Sequence, residues 1–128
     1  MKVLLADDNP INREIAAYFL EELNCEVCLA VDGVQAVDAY AKNVFDLILM
    51  DIEMPNQNGI EATAKIREKE TDTGKHTPII ALTAYTMDHE VRRFKEAGMD
   101  GHISKPLSIE KLREVLAICS SKKTQEKV

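Results

Sequence analysis

No apolar run in this 128-residue chain approaches the roughly 20 residues that a membrane-spanning helix requires. The longest, such as Val3-Leu4-Leu5-Ala6 and Leu47-Ile48-Leu49-Met50, have the length of a buried strand. An excess of positive charge is also lacking. Sixteen Lys and Arg stand against 22 Asp and Glu, a formal net charge of −6, so the overall field opposes nucleic acid and anionic lipid. Neither nucleic acid nor membrane is expected as a partner of this chain. Cysteines that pair off are missing too: Cys25, Cys28 and Cys119 make an odd count, and no disulfide framework is expected. Met1 and Lys2 bring a positive charge, but Asp7 and Asp8 stop the apolar run short of a signal-peptide core. The expectation is a cytoplasmic domain with reduced thiols. Length excludes a multidomain enzyme within these residues, because 128 residues supply one ordinary core. With 45% hydrophobic residues, a chain of this size buries roughly 65–70% of its unfolded surface and folds without a metal or disulfide staple.

Short apolar runs alternate with segments of helical period from end to end, a pattern that predicts βα units and a parallel sheet. Strands are expected at Lys2–Ala6, Glu26–Ala30, 45–50, Ile79–Thr83 and Gly101–Ser104. Asn58-Gly59 has the form of a hairpin turn, but 60–70 after it reads as helix. The first helix carries Ile11, Ile15, Phe19 and Leu23 at i, i+4 spacing, entered through Asn9 as N-cap and Pro10 at the first helical position. Asp32 is placed to cap a second helix with Val34, Val37 and Ala41 on one face. Ser108 is placed to cap the last, with Ile109, Leu112, Leu116 and Cys119. A fourth, more polar helix with Met87, Val91 and Phe94 is the least committed to the core. Residues 71–78 read as a polar connection. The domain is expected to span 1–120, followed by a polar, frayed tail over 121–128. A doubly wound α/β fold with right-handed crossovers follows, and in such folds ligands bind beyond the carboxyl ends of the strands.

That edge collects chemistry. Asp7 and Asp8 follow the first strand, Asp51 the third, Thr83 closes the fourth, and Lys105-Pro106 follows the fifth. Taken singly, each has an ordinary explanation as cap, strand end or turn; their joint placement argues otherwise. Three crowded carboxylates raise one another's pKa values unless a cation is supplied, and hard oxygen ligands select Mg2+ or a similar ion. With an ion and Lys105 beside it, Asp51 stays ionised below its reference pKa of about 3.9 and can attack phosphorus as an oxygen nucleophile. Lys105 and the Thr83 hydroxyl then face the equatorial oxygens of a phosphoryl group.

Ala6-Asp7-Asp8-Asn9, Leu49-Met50-Asp51-Ile52-Glu53-Met54-Pro55 with Gly59, Ala81-Leu82-Thr83-Ala84 and Ser104-Lys105-Pro106 resemble the receiver domain of two-component response regulators, over about residues 2–119. The resemblance implies a flavodoxin-like five-stranded parallel sheet of order 2-1-3-4-5 with five helices. It implies Asp51 as phosphoacceptor, charged from a phosphohistidine donor by a reaction the domain itself catalyses. It implies Asp7, Asp8, Asp51 and the backbone carbonyl of Glu53 as ligands of Mg2+ or Mn2+, and Thr83 and Lys105 as phosphoryl contacts. The fourth helix, fifth strand and fifth helix become the responding surface, with Thr83 and His102 as the switch pair. His102 is a departure, since most receivers carry Tyr or Phe there. Glu53 and Tyr85, two positions beyond the acceptor and the Thr, flank the path of attacking water and tune the lifetime of the phosphorylated form.

Asn12 beside Asp7-Asp8-Asn9, Glu61-Ala62 and the run 97–106 are similar to receivers of hybrid sensor histidine kinases. The partner this implies is a histidine kinase or a His-phosphotransfer domain. Oligomeric state is left open, a phosphorylation-dependent dimer being one alternative, as is the choice between a stand-alone regulator and a module of a hybrid kinase. Competing readings fit less well. A flavin-binding module of this fold would meet repulsion between its phosphate and Asp7-Asp8. Aspartyl phosphatases place their D-x-D on the first strand, whereas Asp51-Ile52-Glu53 lies on the third. A phosphorylation-independent interaction module remains the main rival; it would normally lack part of the acid, Thr and Lys set, which is complete here. Cys25 and Cys28 match C-x-x-C, but an odd separation along a strand sends them to opposite faces, so packing is expected and not metal binding.

Overall fold

Each short apolar run forms a strand and each periodic segment a helix. The computed structural model describes residues 1–84 and 87–126, in which the elements alternate as β1 (Lys2–Ala6), α1 (Pro10–Glu22), β2 (Glu26–Ala30), α2 (Gly33–Lys42), β3 (Leu47–Asp51), α3 (Gly59–Thr73), β4 (Ile79–Thr83), α4 (Asp88–Glu96), β5 (Gly101–Ser104) and α5 (Ile109–Glu126). The strands make one sheet in the order β2-β1-β3-β4-β5, every pairing parallel. This is the flavodoxin-like, doubly wound arrangement. None of the helices among the described residues is long and apolar enough to cross a membrane.

Alternate strand residues point to opposite faces, so the core has two halves. On one face Leu4, Ile48, Met50 and Ile79 pack with Ile66 of α3 and Phe94 of α4. On the other, Val3, Leu5, Leu49 and Leu82 pack with Ala16 and Leu20 of α1 and Leu112 of α5. The C-x-x-C pair divides accordingly: Cys25 lies in the second half and Cys28 packs against the first.

Capping chemistry follows the sequence. Asn9 accepts the backbone N–H groups of Ile11 and Asn12, Asp32 that of Gln35, and Ser108 that of Lys111. A further cap, the reciprocal box of Asn58 and Glu61, starts α3, so Asn58-Gly59 opens a helix.

Three expectations need correction. β3 runs from Leu47 to Asp51 and not over 45–50, so the acid ends the strand itself. α3 continues to Thr73, where Gly74 in a left-handed conformation stops it, which shortens the expected connection. Finally, two helix stripes meet the core only in part: Phe19, Leu23 and Val37 pack against it, whereas other members do not. In α1 Ile11 and Ile15 are 67% and 46% exposed, and the buried residues are Ala16 and Leu20. In α2 Val34 is exposed while Gly33 and Ala36 are buried. Small residues let a helix axis approach its neighbours: a Cβ on Gly33 would fall 2.3 Å from the carbonyl oxygen of Gln57. Close approach, and not side-chain size, selects the buried stripe here.

Candidate functional site

The carboxyl ends of β1, β3, β4 and β5 surround a cleft of about 940 Å³, lined among others by Asp8, Asp51, Glu53, Thr83 and Lys105. Asp51 lies at its floor, 4% exposed. Gly59 makes this seat possible, since a Cβ there would come within 2.2 Å of the Asp51 carbonyl oxygen. The loop beyond Asp51 is tied to the β2–α2 turn: Asn56 Nδ2 donates to Asp32 at 2.8 Å and Gly33 N to the Gln57 carbonyl at 2.9 Å. The backbone N–H of Gln35, followed by the Asn56 amide, holds the Asp32 carboxyl below its ordinary pKa.

Asp51 Oδ1 accepts the Glu53 backbone N–H at 3.3 Å, and Oδ2 accepts Lys105 Nζ at 3.0 Å. Lys105 is positioned in turn by its own N–H, which donates to the Thr83 carbonyl at 2.9 Å. Thr83 is buried and pairs across the ladder with Ser104. Asp7 Oδ1 accepts the Asn9 N–H at 2.9 Å, and the Asp7 carbonyl accepts Arg13 Nη1 at 2.7 Å. Its second carboxylate oxygen, Oδ2, is buried without any hydrogen-bond partner. A buried polar atom in that condition is costly unless a ligand completes it.

Carboxylate oxygens of Asp7, Asp8 and Asp51 lie within 4.8 Å of one another. Three acidic oxygens in this space, one of them orphaned, fit a small hard divalent cation such as Mg2+. The electrostatics of Asp51 agree. Burial pushes its pKa up to about 6; the hydrogen bond and charge of Lys105 oppose the rise, and Asp7 adds to it. Lys105 alone therefore does not bring Asp51 below the ordinary carboxylate range, and a cation is needed for the low value expected from the sequence.

Asp7, Asp8, Asp51, Thr83 and Lys105 are thus brought to one edge, with Glu53 exposed at the rim. His102 is not among them. It is exposed, sits opposite Ala81 in the ladder and lines a separate cleft of about 660 Å³ with His76 and Asp100. Tyr85 lies outside the described residues. The sequence reading missed Glu90 and Arg93, which line the acceptor cleft from α4; the signal was their i, i+3 spacing beside Phe94, obscured by attention to apolar positions.

A second concentration of charge lies at the amino ends of β4 and β5. Arg67 of α3 bonds Glu70, the Thr77 carbonyl, the Gly98 carbonyl and Asp100 Oδ2, the last at 2.8 Å. Asp100 also accepts the Ile79 N–H at 2.9 Å and meets His76 Nε2 at 2.7 Å. The Thr77 N–H closes onto Glu70 Oε2 at 2.6 Å.

Comparison with known proteins agrees with this geometry. Residues 3–117 match the response regulator receiver domain family. The chain is 42% identical over 120 residues to hybrid signal transduction histidine kinase I of Dictyostelium discoideum, covering 90% of this chain and 7% of that protein. Its fold superposes, at a TM-score of 0.82 and 36% identity, on the receiver domain of sensor histidine kinase PA1611 from Pseudomonas aeruginosa PAO1, solved with a magnesium ion in the active site cleft; 90% and 93% of the chains are covered. At 30% identity and a TM-score of 0.82 it also matches the Saccharomyces cerevisiae complex of the histidine phosphotransfer signaling protein Ypd1 with the receiver domain of response regulator Ssk1, covering 88% and 83%.

Proposed function

The chain belongs to the response regulator receiver domain family, and from that premise we propose that it is the phosphoacceptor of a two-component phosphorelay, with Asp51 as the residue that carries the phosphoryl group. The observation that carries this reading is the setting of Asp51: buried, hydrogen-bonded to Lys105 at 3.0 Å, and crowded by the acids Asp7 and Asp8.

An Asp51 carboxylate oxygen attacks the phosphorus of a phosphohistidine, the phosphorus–nitrogen bond breaks, and the imidazole nitrogen leaves with the electron pair. Lys105 Nζ, already on Asp51 Oδ2, shifts onto the transferred oxygens as negative charge collects there. The Thr83 hydroxyl, at the end of the adjacent strand, donates to another. Asp7, Asp8, Asp51 and the Glu53 backbone carbonyl would hold Mg2+ or Mn2+, which supplies positive charge to both the acceptor and the phosphoryl oxygens when bound. Hydrolysis later returns Asp51 to its free form, and Glu53 and Tyr85 are assigned the tuning of its rate.

The donor in this reading is a histidine kinase or a His-phosphotransfer domain, and the site of action is the cytoplasm. Ile11 and Ile15, exposed on α1 just beyond the rim residues Asp8 and Asn9, give such a partner an apolar foothold beside the cleft. Thr83 and His102 are assigned the switch: phosphoryl contact draws Thr83 inward and the side chain at 102 moves into the space released.

Incubation with acetyl phosphate and Mg2+, followed by intact-mass measurement, should add one phosphoryl group. Asp51→Asn or chelation of the metal should abolish the addition. Labelling of Asp51→Asn at the wild-type level would sink the assignment, and an unlabelled wild type would favour a phosphorylation-independent interaction module.

A further inference from the structure

Two charged side chains of α4 turn toward the acceptor cleft. Glu90 and Arg93 line it together with Phe94, opposite Asp8, Asp51 and Lys105. Arg93 Nη1 lies 3.7 Å from Glu90 Oε2, too far for a hydrogen bond. The other oxygen of Glu90 faces His89 Nε2 at 3.3 Å. The Glu90–Arg93 pair is therefore a loose ion pair between a half-buried carboxylate and an exposed guanidinium, whose five-donor fork keeps most of its capacity for another partner. α4 itself is lightly held. Phe94 is its one buried residue, and Met87 at its N-cap makes no side-chain hydrogen bond.

We propose that Arg93 is a further phosphoryl-contacting residue of this site, held off by Glu90 while Asp51 is free and drawn into the cleft once Asp51 is phosphorylated, so that charge arriving at the acceptor pulls on α4. This rests on the reading of Asp51 as phosphoacceptor and adds a residue to it. The physical argument is a competition. Before transfer, the acids Asp8, Asp51, Glu53 and Glu90 around the cleft face Lys105 and Arg93. Transfer adds a dianionic group with three strong acceptor oxygens at the cleft floor. Guanidinium matches that group in shape as well as charge, with two parallel N–H···O bonds, whereas Glu90 holds it only by proximity. Because Phe94 is the one buried residue of α4, little packing opposes a pull that Arg93 exerts on the helix.

The experiment uses the full chain with Mg2+ and beryllofluoride as the phosphoryl mimic, followed by NMR titration and by observation of the Arg93 Nε–Hε resonance. Acetyl-phosphate labelling of the same samples is run alongside. Arg93→Ala should weaken beryllofluoride binding about fivefold, the effect of losing one partly exposed charge-assisted bond, and Arg93→Lys should recover part of it. Glu90→Gln should act in the opposite direction and tighten binding about twofold, because it releases Arg93. A merely structural ion pair would move both variants in the same direction. The Arg93 resonance should shift on adding the mimic to wild type and stay fixed in Asp51→Asn. If wild type is labelled on Asp51 but Arg93→Ala binds the mimic as tightly as wild type, or Glu90→Gln weakens binding, the inference on Arg93 fails and the acceptor reading stands. If wild type takes no label, both fall.

Discussion

The two ends of the sheet carry charge in opposite ways. At the amino ends of β4 and β5, Arg67, Glu70, Asp100 and His76 satisfy one another and the backbone of the loop they fasten. At the carboxyl ends, Asp7, Asp8 and Asp51 converge, Lys105 bonds the Asp51 carboxylate, and one oxygen of Asp7 is left buried and unpaired. The first cluster is complete within the fold and serves to hold it. The second is incomplete, and its deficit has a definite chemistry: divalent positive charge for three converging acids and a partner for the orphaned Asp7 oxygen. A charged cluster points to function less by its density than by what it still lacks.

Removing a charge should therefore have opposite consequences at the two ends, and the largest effect belongs to the complete cluster. Arg67→Ala leaves Glu70 and Asp100 without their cation, and loss of one partner from a largely buried network costs about 3 kcal/mol. Urea denaturation should show that loss, with acetyl-phosphate labelling of Asp51 retained in the folded fraction. Retained stability would mean the network is not a fastening.

Next in size is Asp51→Asn in the metal-free protein. Because the folded pKa is raised to about 6 from an ordinary 3.8, the folded state binds more protons than the unfolded one between those values. Stability from this group is full below about pH 4 and is lost as pH rises through 6. At pH 7 the ionised, buried carboxylate is a liability of up to about 3 kcal/mol. Asp51→Asn should be more stable than wild type at pH 7 without metal and should show a flatter pH profile between 4 and 6. Thermal melts over that range, repeated with Mg2+ to offset the liability in wild type, check the sign. A destabilised variant would break the contrast between the two ends.

A smaller effect is expected from Tyr85→Ala. In-line attack on phosphorus needs a water at roughly 3–3.5 Å, and a large side chain two positions beyond Thr83 is assigned to exclude it. Loss of the phosphoryl group should quicken about fivefold with its attachment site unchanged. Equal or slower decay in a folded variant would show that Tyr85 does not shield the bond.

The smallest effect concerns His102, which is exposed toward the cleft near the complete cluster, beside Asp46, Lys75, His76 and Asp100. Inward movement would bury a polar ring, which costs more than burying an aromatic one. His102→Tyr should therefore raise the inward population of side chain 102 in the beryllofluoride complex. NMR of the two proteins decides, and equal populations would refute the switch role given to His102.

Much of this was legible from local pattern. Strand-length apolar runs such as 47–50, and caps at Asn9, Asp32 and Ser108, are encoded within a few residues, because backbone hydrogen bonding and side-chain alternation act over that range. So is the placement of Asp7, Asp51, Thr83 and Lys105 at strand ends, from which a parallel sheet alone brings them to one edge. The sequence by itself thus determined the order of elements and the composition of the acidic edge.

Tertiary structure decided what depends on approach between distant segments. Ile11, Ile15 and Val34 fit a buried stripe by spacing yet face outward, because Ala16, Gly33 and Ala36 allow closer packing. Arg67 meets Asp100 across 33 positions, and Glu90 and Arg93 reach the acceptor cleft only because α4 packs through Phe94 beside it. Periodicity specifies which residues share a face of one helix. Which face turns inward is set by the volume and charge of the neighbours, and these become neighbours only when the sheet is assembled.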